Sequence, residues 1–581
     1  MRESGGTGIL PGMARPFESK IQDIVYNVDV GIGLRLIKLG LYLLMLLSIM
    51  VLYTATQFRG LKDAEAMDLA QLGRNLMTKG SFVTQNIRPA SMWYLVDKSK
   101  AADPQLREHP DIVNPPLHPA LLSVGFKMFE GAFAPDRTAR TFPPEQWVIV
   151  PTGHLFSILT GALIFLIARK LFDNRVAVLG ITLFFLSDAV WGMSISGLPF
   201  PVATFFITAA WYAALIAGSR HEAGGRAWGW ALASLAAGLF CGLAFLTRYG
   251  AIAVVPGIIL LLAWSVRPYA GRVVALFLFA FLLTVAPWLV RNVLVSGGLF
   301  GLAPWLALNG ANPLTDNLFE RTLAQDPTLG GIMAALRPKL MLGLAEIYNT
   351  QLRLLGDGIL VGVFFTTFFY SFARENVRRL RWCLVAGLFV TIPVAAVYGQ
   401  PGYRLLYLFL PFVVLYAVAF FYILLDRMQL RIPLLRMGVT GGFLALGALP
   451  LVLTLLPPRT GVPYPPYYPP YITHVSRMLN PDELMCTDMP WATAWYGNRN
   501  SLLLPASIDE FYEINDYMRR VSGLYFTTIT RDREYIRSLV TGPYRTWFPL
   551  LEGRIPSDFP LTQGFPLSNL DQLFLTDRQR W

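Results

Sequence analysis

Three carboxylates lie close together in GLKDAEAMDLAQLGRNLMTKGSF: Asp63, Glu65 and Asp68. From about Ala64 to Lys79 the segment is rich in helix formers, and Gly80 can cap it. Glu65 and Asp68 are spaced i, i+3 and share a face. Asp63 falls at the helix start, where the dipole favours an acid. Solvated or capping acids would show the same spacing. The chemical reading is a carboxylate at the membrane–water boundary that accepts a proton from an acceptor hydroxyl or amine.

The basic residues that could face this cluster stand at the ends of apolar runs: Arg248–Tyr249, Arg291–Asn292 in APWLVRN, and Tyr403–Arg404 in GQPGYRLLY. Arg88 lies between the first two runs. Guanidinium groups suit bidentate phosphate binding, so these arginines are candidates for holding a lipid-linked phosphate. Snorkelling to headgroups is the ordinary alternative at span ends. His109 and His118 in HPDIVNPPLHPALL lack matching ligand spacing and read as turn and packing residues. His154 reads as a packed neutral imidazole; His221 and His474 receive no role. Cys241 and Cys383 sit in apolar runs, so Cys486 has no evident disulfide partner.

The elements that must position these residues are membrane helices. The chain has 581 residues, 54% hydrophobic and 15% charged, with mean hydropathy +0.46. Soluble chains carry about 25% charged residues. Apolar runs recur at about 33–56, 147–168, 176–194, 200–218, 227–246, 250–266, 273–295, 355–373, 382–399, 405–425 and 437–456, about eleven spans. The first is too long for a cleaved signal core and reads as a signal anchor. Between 120 and 130 a shorter apolar helix reads as interfacial.

Charge sets the expected orientation. Arg169, Lys170, Arg175, Arg220, Arg226, Arg267, Arg272, Arg374, Arg378, Arg379, Arg381, Arg427, Arg431 and Arg436 fall in alternate connections. The opposite short connections hold only Arg248 and Arg404. The positive-inside rule then places the N-terminus, 1–31, in the cytoplasm. Segments 58–146, 296–354 and the C-terminus fall outside. The net charge of +12 is thus a topology signal, and no nucleic-acid partner is expected. A Pro/Tyr-rich linker, 457–471, leaves the membrane domain of 32–456. Residues 472–581 read as a small extracytoplasmic α/β domain, nearly neutral with eleven Arg and no Lys against thirteen acids. Within it Trp491, Trp495, Tyr496 and Arg499 are candidates for sugar contact or for core packing. No nucleotide-binding glycine loop is visible.

Together these pieces resemble the C-type integral membrane glycosyltransferases, nearest to the bacterial relatives of protein O-mannosyltransferases and lipid A aminoarabinose transferases. The resemblance rests on the acid cluster running into AQLGRNLMTKGSF, with Gly73 in place of the usual Ala before Arg74. It rests also on Pro115, Pro116, Leu117 and Pro119, on LTRYG and PWLVRN, on YRLLYLFLP, and on TDMPWATAWYGNRNSLLLP. It covers roughly 30–580 by motif and topology. It implies a mainly α membrane bundle that moves a sugar from a polyprenyl-phosphate donor to an acceptor, a lipid, protein or glycan, outside the bacterial inner membrane. The family's catalytic acid lies nine residues before Arg74, at Glu65. Ala66 breaks the acid pair usual there, so the base remains open between Glu65, then Asp63, and Asp68. Arg248, Arg291, Arg404 and Arg88 are the expected phosphate ligands, with Arg74, Tyr249, Asn292 and Tyr403 as further site candidates. No cofactor is called for, and no ligand set stands out for a divalent cation. A transporter or flippase is the competing reading, but intramembrane polar groups and repeat symmetry are not visible. A non-catalytic scaffold that binds a partner through its external domain is a third.

Overall fold

A computed structural model describes residues 32–99, 108–133, 142–310, 318–323, 329–456, 469–567 and 572–580. The expected cytoplasmic segment 1–31 and most of the 457–471 linker lie outside the described residues. Helix α1 (Ile32–Gln57) is a compact unit by itself. Leu36, Leu39, Leu43, Leu44 and Leu47 are all exposed on it, as a lipid-facing span requires.

The second unit begins at Phe58. Its first connection folds into α2 (Ala64–Lys79), β1 (Val83–Thr84), β2 (Asn86–Ile87), α3 (Pro89–Ser99), β3 (His109–Pro110) and α4 (Leu117–Met128). Helix α2 has the expected bounds. Gly80 closes it at φ 67°, its N–H on the Leu76 carbonyl, a left-handed cap that glycine adopts without Cβ strain. Helix α4 is the shorter apolar helix expected near 120–130. It packs on α2 at Gly73, where a Cβ would stand 3.0 Å from the Pro119 carbonyl and 3.1 Å from Leu122 Cβ.

The bundle that follows comprises α5 (Val150–Leu171), α6 (Asn174–Phe185), α7 (Asp188–Ile195), α8 (Phe200–Glu222), α9 (Ala227–Thr247), α10 (Val255–Ser265) and α11 (Ala270–Ser296). After a second long connection containing α12 (Leu329–Asn349) come α13 (Gly358–Thr366), α14 (Glu375–Tyr398), α15 (Leu410–Arg427) and α16 (Pro433–Leu455). Eight helices of the described chain are long and apolar enough to cross a membrane, and the pair α6–α7, bent by 52°, makes up to nine. Two further runs expected as spans form shorter apolar helices, Tyr249–Ser265 and Gly358–Phe369. The protein is a multi-pass membrane protein. In the apolar stretches of α8 and of the Arg404–Arg427 segment 78% of the residues are buried, against only 17% in that of the Arg267–Ser296 segment. The first two are therefore central and the last faces lipid.

After α17 (Pro469–Arg477) the chain forms β4 (Leu484–Thr487), α18 (Pro490–Trp495), β5 (Asn500–Leu503), α19 (Ile508–Glu513), β6 (Val521–Phe526), β7 (Gln563–Leu567) and β8 (Gln572–Thr576). The sheet order is β2-β5-β4-β6-β8-β7. Its edge strand, β2, comes from the first connection and pairs parallel with β5, Asn86 opposite Ser501. The C-terminal core likewise takes Ile87 and Met92 from the first connection and Leu323 from the second. Arg321 donates to the carbonyls of Leu504 (2.7 Å) and Pro505 (2.9 Å). The C-terminal α/β layer is thus built jointly with both long connections, and all three lie at one end of the bundle.

Candidate active site

The N-terminal half of α2 forms one wall of a cavity of about 320 Å³. Glu65 and Asp68 both line it, as their shared face requires. Each carboxylate meets an arginine from a different element. Glu65 pairs with Arg248, which follows the last turn of α9. The Arg248 guanidinium also lies 5.3 Å from the Phe200 ring centroid. Asp68 accepts from Arg88 Nη2 at 2.9 Å, from Asn114 Nδ2 at 3.0 Å and from Gln71 Nε2 at 3.1 Å. Arg88 also reaches Glu320 of the second connection at 3.4 Å. Burial alone would lower Arg88; Asp68, Glu320 and Asp111 outweigh it and raise it, so the cation is permanent.

The two carboxylates therefore differ. Both oxygens of Asp68 are occupied by side-chain donors, and the residue is 3% exposed. Glu65 has one partner among the described residues, and its side chain keeps 19% exposure. Asp63 takes a third arrangement. It has the extended backbone of an N-cap, yet its side chain makes no cap hydrogen bond; it pairs with Arg404 instead. Neither Asp63 nor Arg404 lines the cavity, but Arg404 lies within Coulombic range of Arg248.

Of the other sequence candidates, Tyr249 lines the cavity and accepts from Trp288 Nε1 at 2.7 Å. Arg291 does not. Its guanidinium donates to the carbonyls of Asp111 (2.6 Å) and Phe82 (3.3 Å) and lies 4.8 Å from the Trp288 ring, so it anchors the first connection to α11. Asn292 donates to the Leu299 carbonyl at 3.1 Å. Tyr403 is buried, its hydroxyl without a hydrogen-bond partner among the described residues. Arg74 is also away from the cavity. It donates to the Trp495 carbonyl at 2.7 Å, the Ala494 carbonyl at 2.6 Å and Gln85 Oε1 at 2.8 Å. Arg499 turns to the Leu479 carbonyl, while Trp495 and Tyr496 are buried among Phe126, Phe133 and Phe142. Trp491 alone of that aromatic group lines the cavity.

Sequence reasoning did not reach Asn86, Asn114, Glu320 and Tyr398, all on the cavity wall. Asn114 carried the one usable signal, since it directly precedes the Pro115–Pro116 turn. Asp111 fixes that turn by accepting from the N–H groups of Val113 (3.0 Å) and Asn114 (2.7 Å). Burial and neighbouring Asp68 raise Asp111, against Arg88 and those two N–H groups. His109 is buried against Ser91 Oγ at 2.9 Å; burial first, then Arg88 and Arg519, push it down to about 3. Burial also lowers His118, to about 4, with Nε2 3.3 Å from the Gly197 carbonyl. Among the described residues no group of three or more His, Cys, Asp or Glu is arranged to hold a metal ion.

In fold, the chain is similar to the archaeal oligosaccharyltransferase AglB from Archaeoglobus fulgidus, solved in complex with an inhibitory peptide and a dolichol-phosphate. The two share 11% identity over 88% of this chain and 74% of that one, with a TM-score of 0.51. This is the C-type membrane glycosyltransferase fold. A second structure of that C-type enzyme, tethered to an acceptor peptide, gives 13% identity, the same coverage and the same TM-score. ArnT from Cupriavidus metallidurans in the apo state shares 13% identity over 93% of this chain and 98% of its own, at TM-score 0.44. Residues 114–290 match the model of a family described as dolichyl-phosphate-mannose-protein mannosyltransferase. That match begins at the Asp68 ligand Asn114 and stops one residue short of Arg291. No curated protein sequence matches the chain.

Proposed function

We propose that this protein transfers a glycosyl residue from a polyprenyl-phosphate donor to an acceptor hydroxyl or amine, with Glu65 as base. The observation that carries this reading is the unequal state of two carboxylates on one helix face. Asp68 is saturated by Arg88, Asn114 and Gln71. Glu65 opens on the cavity beside a cation, with lone pairs left for an incoming proton donor. The structures of AglB with dolichol-phosphate and of ArnT bound to undecaprenyl phosphate make a lipid phosphate the natural donor class to test.

In the transfer, the acceptor oxygen or nitrogen forms its bond to the anomeric carbon as the bond from that carbon to the phosphate oxygen breaks. The acceptor proton passes to Glu65, and the electron pair leaves with the polyprenyl phosphate. Arg248 neutralises the charge that builds on that leaving group, more effectively in a site from which water is excluded. Arg404, held by Asp63, supplies a second positive charge nearby. Before the donor binds, each arginine is balanced by an acid two residues from the other, so the empty site carries little net charge. The site end of the bundle then faces away from the basic connections, outside the cytoplasm.

The test is transfer of label from a mixture of radiolabelled polyprenyl-phosphate sugars in membranes containing the protein. A positioned base contributes about 10²–10⁴-fold. Glu65→Gln is expected to lose at least about 100-fold with expression unchanged, and Asp63→Asn less. If no donor yields product, or Glu65→Gln transfers like wild type, the assignment is wrong.

A further inference from the structure

The cavity has a second wall whose groups the transfer chemistry leaves unused. Asn86, on β2, lines it and is 3% exposed, and its Oδ1 is buried without a hydrogen-bond partner among the described residues. A buried amide oxygen left unmatched costs free energy, and nearly all such groups in folded proteins find a donor. Trp491 lines the same cavity and is half-buried. Among the described residues its indole meets no other ring and its Nε1 no acceptor. The neighbouring Trp495 is the opposite case: its Nε1 donates to Glu145 Oε1 at 2.8 Å and its ring meets Phe126, Phe133 and Phe142.

The place of Trp491 in the sheet is also that of a ligand contact. Parallel strands β5 and β6 flank β4 on opposite sides. The chain leaving β4 therefore turns one way and the chain leaving β5 crosses to the other. In open α/β sheets the crevice at the carboxyl ends of such strands is where ligands bind. Pro490 and Trp491, just beyond β4, and Leu503, the last residue of β5, line the reaction cavity. The sheet therefore presents its ligand-binding end to the same space as Glu65.

The chemistry selects the ligand. An unmatched amide oxygen accepts a hydrogen bond and the Trp491 Nε1–H on the same wall donates one; a hydroxyl does both and matches the pair, whereas a phosphate, which only accepts, matches half of it. An indole face, negative at its centre, attracts C–H groups that carry partial positive charge. A pyranose ring has both features, hydroxyls at its rim and C–H bonds on its faces. The volume, about 320 Å³, is at the small end for ligand pockets and suits one sugar ring with part of its neighbour. We infer that Asn86 and Trp491 form a carbohydrate subsite that seats a pyranose ring opposite Glu65 and Arg248. This deepens the glycosyl-transfer reading and rests on it for the ring's reaction; the ring's seat is tested without turnover. The ring is the donor's glycosyl residue or a sugar of the acceptor.

Full-length protein in detergent is mixed with methyl mannoside, methyl glucoside or methyl N-acetylglucosaminide, and contact is read by saturation-transfer NMR. At least one glycoside should bind wild type. Its affinity should fall about tenfold or more in Trp491→Ala, stay within about threefold in Trp491→Phe, and fall several-fold in Asn86→Ala. Thermal unfolding of each variant reports that the fold persists, and Trp491→Phe together with Asn86→Ala keeps the test open if Trp491→Ala misfolds. The same glycoside competing with donor in the transfer assay assigns the ring to the donor; competing with acceptor, it assigns it to the acceptor. No binding of any glycoside to wild type, or equal binding to the Trp491 and Asn86 variants, overturns the subsite. Glycoside binding that depends on both residues, in a protein that transfers nothing, supports the subsite and removes the transfer reading alone.

Discussion

Asp68 and Glu65 are one helical turn apart and call for opposite experimental signatures. Replacing Asp68 by Asn leaves Arg88 short of its best-placed counter-ion in a buried setting, and breaking such a pair costs about 3 kcal/mol or more. Asp68→Asn should therefore lower the unfolding temperature in detergent by several degrees, whereas Glu65→Gln should leave it close to wild type while removing transfer. A reversed pattern would exchange their roles. His109 adds a pH signature. Its folded value, held down to about 3 by burial and by Arg88 and Arg519, lies below the ordinary histidine value of about 6.5. Between those limits the unfolded chain binds the extra proton, so stability falls as pH falls, by up to about 1.4 kcal/mol per pH unit. His109→Gln, which can keep a hydrogen bond to Ser91 without titrating, should flatten the acid side of a stability–pH profile from 7.5 to 5. An unchanged slope would show that the loss comes from other groups. The acids were legible in the sequence because three of them cluster next to a span. What completes them was not: Asn114 and Glu320 come from separate segments with no spacing relation to α2.

At the scale of elements, α2 is held by what its far face meets. Gly73 reads in the sequence only as a departure from an expected Ala, but in the fold it is a point of close approach between α2 and α4. Gly73→Val would drive two methyl groups into the Pro119 carbonyl and Leu122, and overpacking of this kind costs about 1–3 kcal/mol. The expected result is a lower unfolding temperature together with a loss of transfer, because the helix that moves also carries Glu65. Transfer at wild-type level in a stable Gly73→Val protein would uncouple the two. The helix bounds were legible because propensity and the Gly80 cap agree with the tertiary packing. Strand β2 was not: two residues have no periodicity, and its identity as a strand comes entirely from β5.

For the whole molecule, hydropathy told the long spans apart but not the bend. Ser187 and Asp188 interrupt the 176–194 run, and the chain turns by 52° there. The division at a Pro/Tyr-rich linker likewise suggested a separate C-terminal domain, whereas the sheet closes only with β2. Ser501→Pro would remove the N–H that reaches the Gln85 carbonyl at 2.8 Å, from a strand paired on both sides, where proline is not tolerated. Limited proteolysis should then release fragments from the region after Leu456 that are protected in wild type, and transfer should fall with them. Protection equal to wild type would mean that the side-chain contacts of Arg74 and Arg321 suffice to hold the layer.

The clasp between α2 and the last part of the chain also sets a timetable. Arg74 and the Trp495 carbonyl it grips are 421 positions apart. Ribosomes add about 5–20 residues per second, so the helix bearing Glu65 waits roughly 20 to 80 s for its clamp after it has itself been made. During that interval the spans can insert while the reaction chamber lacks one wall. A chain cut short anywhere before Trp495 would sit in the bilayer as an unfinished and idle vessel. The chamber is complete only with delivery of the chain's final fifth.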